Sequence, residues 1–506
     1  MPDVRYVCLS DLHFGARGSI LTGLEHADEV DIDDPSPVLV GLLDALGTLI
    51  DANESHEPPT LVLVGDVLEF ALMSASVAGM VFDEFVAQAF APGNRRFAPT
   101  IYYLPGNHDH HLWEQLRERR EALRIGRTRP GVRLEPEPHA SPLEGYDDDA
   151  TADQLLAMLI QRRPGCEDIQ VVTAYPNLGL RAEDGNRVAV FHHGHFVEGI
   201  YRLVSAVKRV VFPDESPGSD VHAWESENHA WIDFFWSTLG QSGAAGADIT
   251  RIYEMLARPD ATDVLIERLG DAVGDRIRAE GGLVHRGGAW VVETLFRQVA
   301  HFGADRERSQ TSVPLTSAGL SGLWEYLDDP VRRQLEHEFG DVPDELVFVF
   351  GHTHKPFERI ISSAASREPV QVLNTGGWVV DSVADDSVQG AAVVLLDERL
   401  EAVSVRCYQE GSTDTQVRVR TAGVPGPFAA RVTALVDAHE REWDRLNAAA
   451  AVLVHERHQV LDLSIEESLE FEEDDGAGGV LVAAEIADAM GLPIGPADSV
   501  GDRGQQ

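Results

Sequence analysis

The sequence predicts an α/β protein whose buried, largely parallel sheet collects its functional side chains along one edge. Three observations predict it. Apolar runs of strand length alternate with helical patterns through the first third of the chain, polar ligand-type residues follow each run at once, and the device returns twice after a long helical stretch.

The first run, VRYVCLS, reads as a strand; in PSPVLVGLLDALGTLI, Ser36 and Pro37 supply the N-cap and first-turn pair of a helix. TLVLVGD is the second strand, VFDEFVAQAF the second helix and PTIYYLPG the third strand. Strands joined through helices require right-handed crossovers and a sheet covered on its faces. In such sheets functional residues gather beyond the carboxyl ends of the strands. Asp11 and His13 follow the first strand, Gly65 and Asp66 end the second, and Asn107, His108 and Asp109 follow the third.

Further on, RVAVFHHGHF sets His192, His193 and His195 after an apolar run, and LVFVFGHTHKPF sets His352 and His354 after another. The stretch between them exceeds any ordinary loop and carries helical patterns such as ENHAWIDFFWSTLG and AWVVETLFRQVAHFG, which predicts an inserted helical cap. QVLNTGGWVV, GAAVVLLDE and EAVSVRCYQ read as further strands. The expected division is a catalytic core of 1–196 and 346–420, a cap of 197–345, a C-terminal amphipathic helix within 421–462 starting at Pro427, and an acidic, poorly ordered tail at 463–506.

The 506 residues carry 41 Lys plus Arg against 84 Asp plus Glu, a formal charge of −43. Such a balance repels polyanions, so nucleic acid and anionic membranes are disfavoured partners unless a local basic patch or a bound metal reverses the sign. Cys8, Cys166 and Cys407 form neither a C-x-x-C pair nor an evenly spaced framework, which fits a reducing compartment. The start MPDVRYVCLSDLHFG lacks a basic region followed by an apolar one, and no later stretch is apolar enough to span a bilayer. A soluble cytoplasmic protein is expected; peripheral membrane contact and the oligomeric state stay open.

Asp11, His13, Asp66, Asn107, His193, His352 and His354 offer oxygen and imidazole donors without a thiolate, the mix that suits Mn²⁺, Fe or Zn²⁺. In an extended segment residues i and i+2 share a side, so D-L-H and H-T-H can each aim two ligands at one place. One carboxylate can bridge two ions about 3.5 to 4 Å apart, and Asp66 is the chosen bridge.

Taken in order, D-L-H, G-D-V-L-E, G-N-H-D, H-G-H and G-H-T-H resemble the motifs of the calcineurin-like metallophosphoesterase superfamily. The resemblance implies a four-layer α-β-β-α sandwich to which the cap contributes no motif. It implies one divalent ion, Mn²⁺ for preference, on Asp11, His13, Asp66 and His354, and a second on Asp66, Asn107, His193 and His352. A hydroxide between the ions would attack a phosphomonoester, phosphodiester or pyrophosphate. His108 matches the histidine that protonates or stabilises the leaving oxygen, Glu69 the acid that orients it, and Asp109 is grouped with them as catalytic. His110, His111, His192 and His195 are read as first-turn, packing or supporting residues.

G-D-V-L-E-F and G-H-T-H-K-P-F are also similar to the versions in UDP-2,3-diacylglucosamine hydrolases. Those enzymes carry Arg in place of His108, Asp in place of His195 and a smaller insertion, so their substrate is not adopted.

The stretch LRERREALRIGRTRPGVR places Arg117, Arg119, Arg120, Arg124, Arg127, Arg129 and Arg133 after the G-N-H-D cluster. It reads either as a helix face balanced by acidic neighbours or as a guanidinium clamp for phosphate oxygens, with Arg117, Arg120 and Lys355 the candidate substrate contacts. The substrate expected is a phosphorylated small molecule or nucleotide. IYRLVSAVKRVVF either packs on the core or lies at a lipid surface. A nuclease of the same superfamily and a non-catalytic scaffold are the competing functional readings.

Overall fold

A computed structural model describes residues 1–25, 29–55, 57–152, 154–212, 218–238, 255, 258, 313–383, 388–411 and 418–470. The chain divides into two compact units, Met1–Thr250 with Ala304–Leu461, and Arg251–Gly303 with Asp462–Gln506. The first unit holds both main β-sheets.

It is a mixed α/β unit with two main sheets. Strands β1 (Tyr6–Leu9), β4 (Thr60–Val64), β5 (Thr100–Leu104) and β6 (Gln170–Thr173) run parallel, and β12 (Gly390–Leu396), β13 (Ala402–Gln409) and β14 (Arg418–Arg420) extend them antiparallel, in the order β14-β13-β12-β1-β4-β5-β6. The second sheet has the order β10-β11-β9-β8-β7. Its centre is parallel, built from β8 (Arg187–His192), β9 (Glu345–Phe350) and β11 (Val370–Asn374), with β7 (Asn177–Arg181) and β10 (Phe357–Ile361) antiparallel at the edges. β2 (Gly23–Glu25) and β3 (Glu29–Asp31) form a small ribbon.

Period-two alternation explains how the first sheet is buried on both faces. Val7, Leu9, Leu61, Leu63 and Ile101 belong to the cluster packed under α1 (Pro37–Ile50) and α2 (Ala75–Ala89). Cys8, Val62, Val64 and Leu104 belong to another cluster, shared with Phe191, Val347, Val349 and Leu373 of the second sheet. Ser36 caps α1 by accepting from Val38 N at 3.2 Å, with Pro37 in the first turn as the sequence predicts.

All eight strands read from the sequence are present; β2, β3, β6, β7, β10 and β14 were not anticipated, nor was the division into two sheets outside the family resemblance. The single C-terminal helix is in fact two, Pro427–Ala438 and Glu440–Glu470. The break falls at His439 (φ −115°, ψ 31°), and residues on both sides of it, Phe428 and Val432 before, Trp443 and Leu446 after, reach the same apolar cluster.

Between 197 and 344 the regular elements among the described residues are helices, including Leu203–Val211, Val221–Asp233, Ser317–Tyr326 and Arg332–Phe339. The lipid-surface candidate becomes the helix Leu203–Val211, where Lys208 pairs with Glu227 at 2.9 Å. The segment AWVVETLFRQVAHFG and the tail beyond residue 470 lie outside the described residues. Among those described, no helix is long and apolar enough to cross a membrane.

Candidate metal centre

The carboxyl ends of β1, β4, β5, β8 and β9 all deliver candidate ligands, and the backbone there is unusual. Asp11, His13, Asp66, His352 and His354 have positive φ values of 50°, 43°, 49°, 70° and 55°. Non-glycine residues adopt this left-handed conformation sparingly, and it clusters at functional sites. Close approach is the other requirement: a Cβ on Gly106 would strike the Asp66 carboxylate, and one on Gly351 the Asp11 carboxylate.

Two triads result, each with its ligating atoms within 4.8 Å of one another: Asp11, His13 and His354, and Asp66, His193 and His352. Asp66 stands between them, with Oδ2 3.6 Å from His13 Nε2 and 3.2 Å from His193 Nε2. Asn107 Oδ1 lies 3.1 Å from the same His193 nitrogen, and His354 Nε2 lies 3.2 Å from Asp11 Oδ1. All seven side chains are buried.

The outer hydrogen bonds decide which imidazole nitrogen faces the centre. His13 Nδ1 donates to Glu69 Oε2 at 2.7 Å, His193 Nδ1 to the Val64 carbonyl at 3.2 Å, and His354 Nδ1 to Asp381. That leaves each Nε2 inward. His352 is reversed: Nε2 meets Glu198 Oε1 at 2.9 Å, and Nδ1 lies 3.3 Å from His193 Nε2. Carboxylates that fix ligand tautomers in this way are typical of metal sites.

Electrostatics point the same way. Burial alone would lift the Asp66 carboxyl, but the His193 and His108 imidazoles outweigh it and hold the pKa well below the usual range. Burial opposes the charge on His193, yet Asp66 carries its pKa up to about 9. A protonated His193 compensates the Asp66 carboxylate, so a divalent ion bound at His193 would displace that proton. Divalent ions fit the residues present: the donors are all oxygen and imidazole, and buried His13 Nε2 has no hydrogen-bond partner.

His108 lies beside this centre, its ring 4.7 Å from that of His13. Its Nδ1 donates to Glu69 Oε1 at 2.8 Å and its backbone N–H to Asp66 Oδ1 at 2.8 Å. Glu69 thus spans two imidazoles; burial would raise its pKa, but His108 and His13 bring it down to about 2.

Asp109 faces backbone: its carboxylate accepts from the N–H groups of Gly106 (2.6 Å), Val67 (2.9 Å), Asp66 (3.3 Å) and Leu68 (3.3 Å), and so links the loops after β4 and β5.

The arginines resolve differently from the clamp reading. On α3 (His111–Arg127), Arg117 donates to Glu114 Oε2 at 2.8 Å, and Arg120 donates to Glu137 Oε1 at 2.8 Å and pairs with Asp148. These pairs match the charge-balanced helix. Lys355 is fully buried next to His354.

The neighbouring histidines do supporting work. His110 Nε2 donates to Glu225 Oε1 at 2.8 Å, Tyr175 Oη to Glu225 Oε2 at 3.0 Å, and His195 Nε2 lies 3.1 Å from Tyr175 Oη. His192 packs at 4.4 Å against Tyr326. Ser237 Oγ donates to the His108 carbonyl at 3.2 Å and accepts from His111 N at 2.9 Å. Glu198, Glu225, Ser237 and Asp381 were all missed from sequence, since none sits in a ligand-type motif.

A family model for calcineurin-like phosphoesterases matches residues 4–261, just over half of the chain. A crystal structure of a cold-active protein-tyrosine phosphatase from a psychrophilic Shewanella species aligns over 84% of this chain and 83% of its own, at 12% identity and a TM-score of 0.24. No curated protein matches this chain. With its paired Asp, Asn and His clusters at the strand ends and this match, the chain belongs to the calcineurin-like phosphoesterase family.

Proposed function

We propose that the protein is a dinuclear metal-dependent phosphoesterase acting on a phosphorylated small molecule or nucleotide, as a monoester, diester or pyrophosphate. The observation that carries the proposal is Asp66, whose Oδ2 faces both triads at once. One ion would be held by Asp11, His13, Asp66 and His354, the other by Asp66, Asn107, His193 and His352. When bound, such a pair supplies Lewis acidity toward phosphoryl oxygens and lowers the pKa of water. Mn²⁺ is the first choice, with Fe and Zn²⁺ compatible with the same donors.

The chain's own groups do the rest. His108 is held by Glu69 through Nδ1, which turns Nε2 toward the centre as the proton donor for the leaving oxygen. Glu69 fixes that tautomer and, through His13, ties the donor to the first triad. Asp109 keeps Asp66 and His108 in register by holding their loops. Arg117 and Arg120 are left out of the substrate site because carboxylates already occupy their guanidinium groups; Lys355 is retained as a phosphoryl contact.

In this reading 1–196 and 346–420 form the four-layer catalytic core, and within the predicted cap the described residues 197–238 lie over the strand ends. Support comes from the contacts that Glu198, Glu225 and Ser237 make with His352, His110 and His108. A cap placed there favours small substrates over nucleic acid, as does the charge of −43.

The test is hydrolysis of p-nitrophenyl phosphate and bis-p-nitrophenyl phosphate by metal-stripped protein, with and without Mn²⁺. Metal-dependent turnover that Asp66→Asn and His108→Ala both abolish is the expected result. Metal binding that requires Asp66, with no turnover of any phosphoester, would favour a scaffold instead.

A further inference from the structure

We propose a third metal site, apart from the two triads: Glu114, His139 and His229 form a site for a zinc-type ion that ties the helix Val221–Asp233 to α3. The three residues come from separate segments, the first turn of α3, the loop after it and the cap helix. One ligating atom from each lies within 4.8 Å of the others. Two imidazoles with one carboxylate make a set that zinc accepts, leaving a fourth position for water.

His229 Nδ1 stands 3.6 Å from Glu114 Oε1, too long for a hydrogen bond. It is close to the roughly 3.4 Å that separates two ligands of a tetrahedral ion with bonds of about 2.1 Å. His139 Nδ1 is buried and has no hydrogen-bond partner, although the residue is anchored by Trp113 Nε1 donating to its carbonyl at 3.0 Å. The rings of His139 and His229 are 4.3 Å apart and inclined at 45°, so they do not stack flat.

Neighbouring groups are accounted for. Arg117 binds Glu114 mainly at Oε2, 2.8 Å away, and its nearest approach to Oε1 is 3.4 Å. On the inner side His110 and Glu225 are engaged with each other and with Tyr175. The His229 side chain is 26% exposed, which gives an ion a route from solvent.

Two measurements on the full-length protein test the site. Crystals grown with Zn²⁺ should show an anomalous zinc peak within about 2.3 Å of Glu114, His139 and His229. Zinc in the triads with none at this position overturns the proposal, whatever any variant does. In solution, metal analysis after Zn²⁺ loading and desalting should find His139→Ala and His229→Ala each one equivalent below wild type, and Asp66→Asn should retain that equivalent. Equal zinc in wild type and both histidine variants, all shown folded by circular dichroism, also overturns it. Because the readout is metal content and position, it stands or falls separately from the phosphoesterase reading.

Discussion

The centre around Asp66 and the basic face of α3 are adjacent in sequence and both dense in charge, yet they settle that charge in opposite ways. On α3 three guanidinium groups meet carboxylates directly, Arg117 with Glu114 at 2.8 Å, Arg120 with Glu137 at 2.8 Å and Arg124 with Glu137 at 3.1 Å. At the centre the buried Asp66 carboxylate meets imidazole nitrogens at 3.2 and 3.6 Å, and each imidazole has its other nitrogen held from outside. A charge cluster whose members are already paired stabilises a fold modestly; one whose lone pairs converge on a common point is organised around something to be bound.

The comparison can be broken most decisively at Asp66. Asp66→Asn should lower kcat/KM for p-nitrophenyl phosphate by on the order of 10³-fold or more and release metal, as read by turnover and metal analysis. Retained turnover would remove the distinction between the two regions. Next come the outer carboxylates. Asp381→Asn and Glu198→Gln should each weaken metal affinity by roughly 10- to 100-fold in a competition titration, without unfolding the protein. Glu69→Gln should lower kcat more than it raises KM and shift the pH profile; an unchanged profile would detach Glu69 from His108.

A smaller effect is expected in pH-dependent stability. Burial opposes the charge on His110, but Glu225 and Asp233 outweigh it and raise the pKa to about 10. A raised folded-state pKa means the contribution is fully present below the unfolded value near 6.5 and lost as pH rises toward about 10. Denaturant unfolding should therefore show the gap between wild type and His110→Gln narrowing over that window. The smallest effects belong to α3: Arg117→Ala and Arg120→Ala should change turnover by less than about threefold and stability by at most about 1 kcal/mol. A larger loss of turnover, confined to KM, would restore the clamp.

What could be read in the sequence followed from locality. The strands carrying Asp11, Asp66, Asn107, His193 and His352 announced themselves because an apolar run and its ligands are contiguous. Asp109 was visible as a residue but not in its role, which depends on backbone amides at 66–68 brought to it by the fold. Asp381 supports His354, Glu198 supports His352 and Glu225 supports His110 from segments with no pattern of their own. The short edge strands β7 and β10 were missed for a related reason, since pairing with a neighbour defines them more than their own composition does.

The left-handed backbone at Asp11, His13, Asp66, His352 and His354 has an evolutionary consequence. Five non-glycine residues in that region are local frustration, each disfavoured by its own sterics and tolerated only while its side chain is needed. A descendant that abandoned metal binding would be free to relax these turns, and glycine at these positions would be the cheapest way to do so. If the dinuclear proposal holds, replacement of these five residues by glycine would mark a lineage in which the fold has outlived its chemistry.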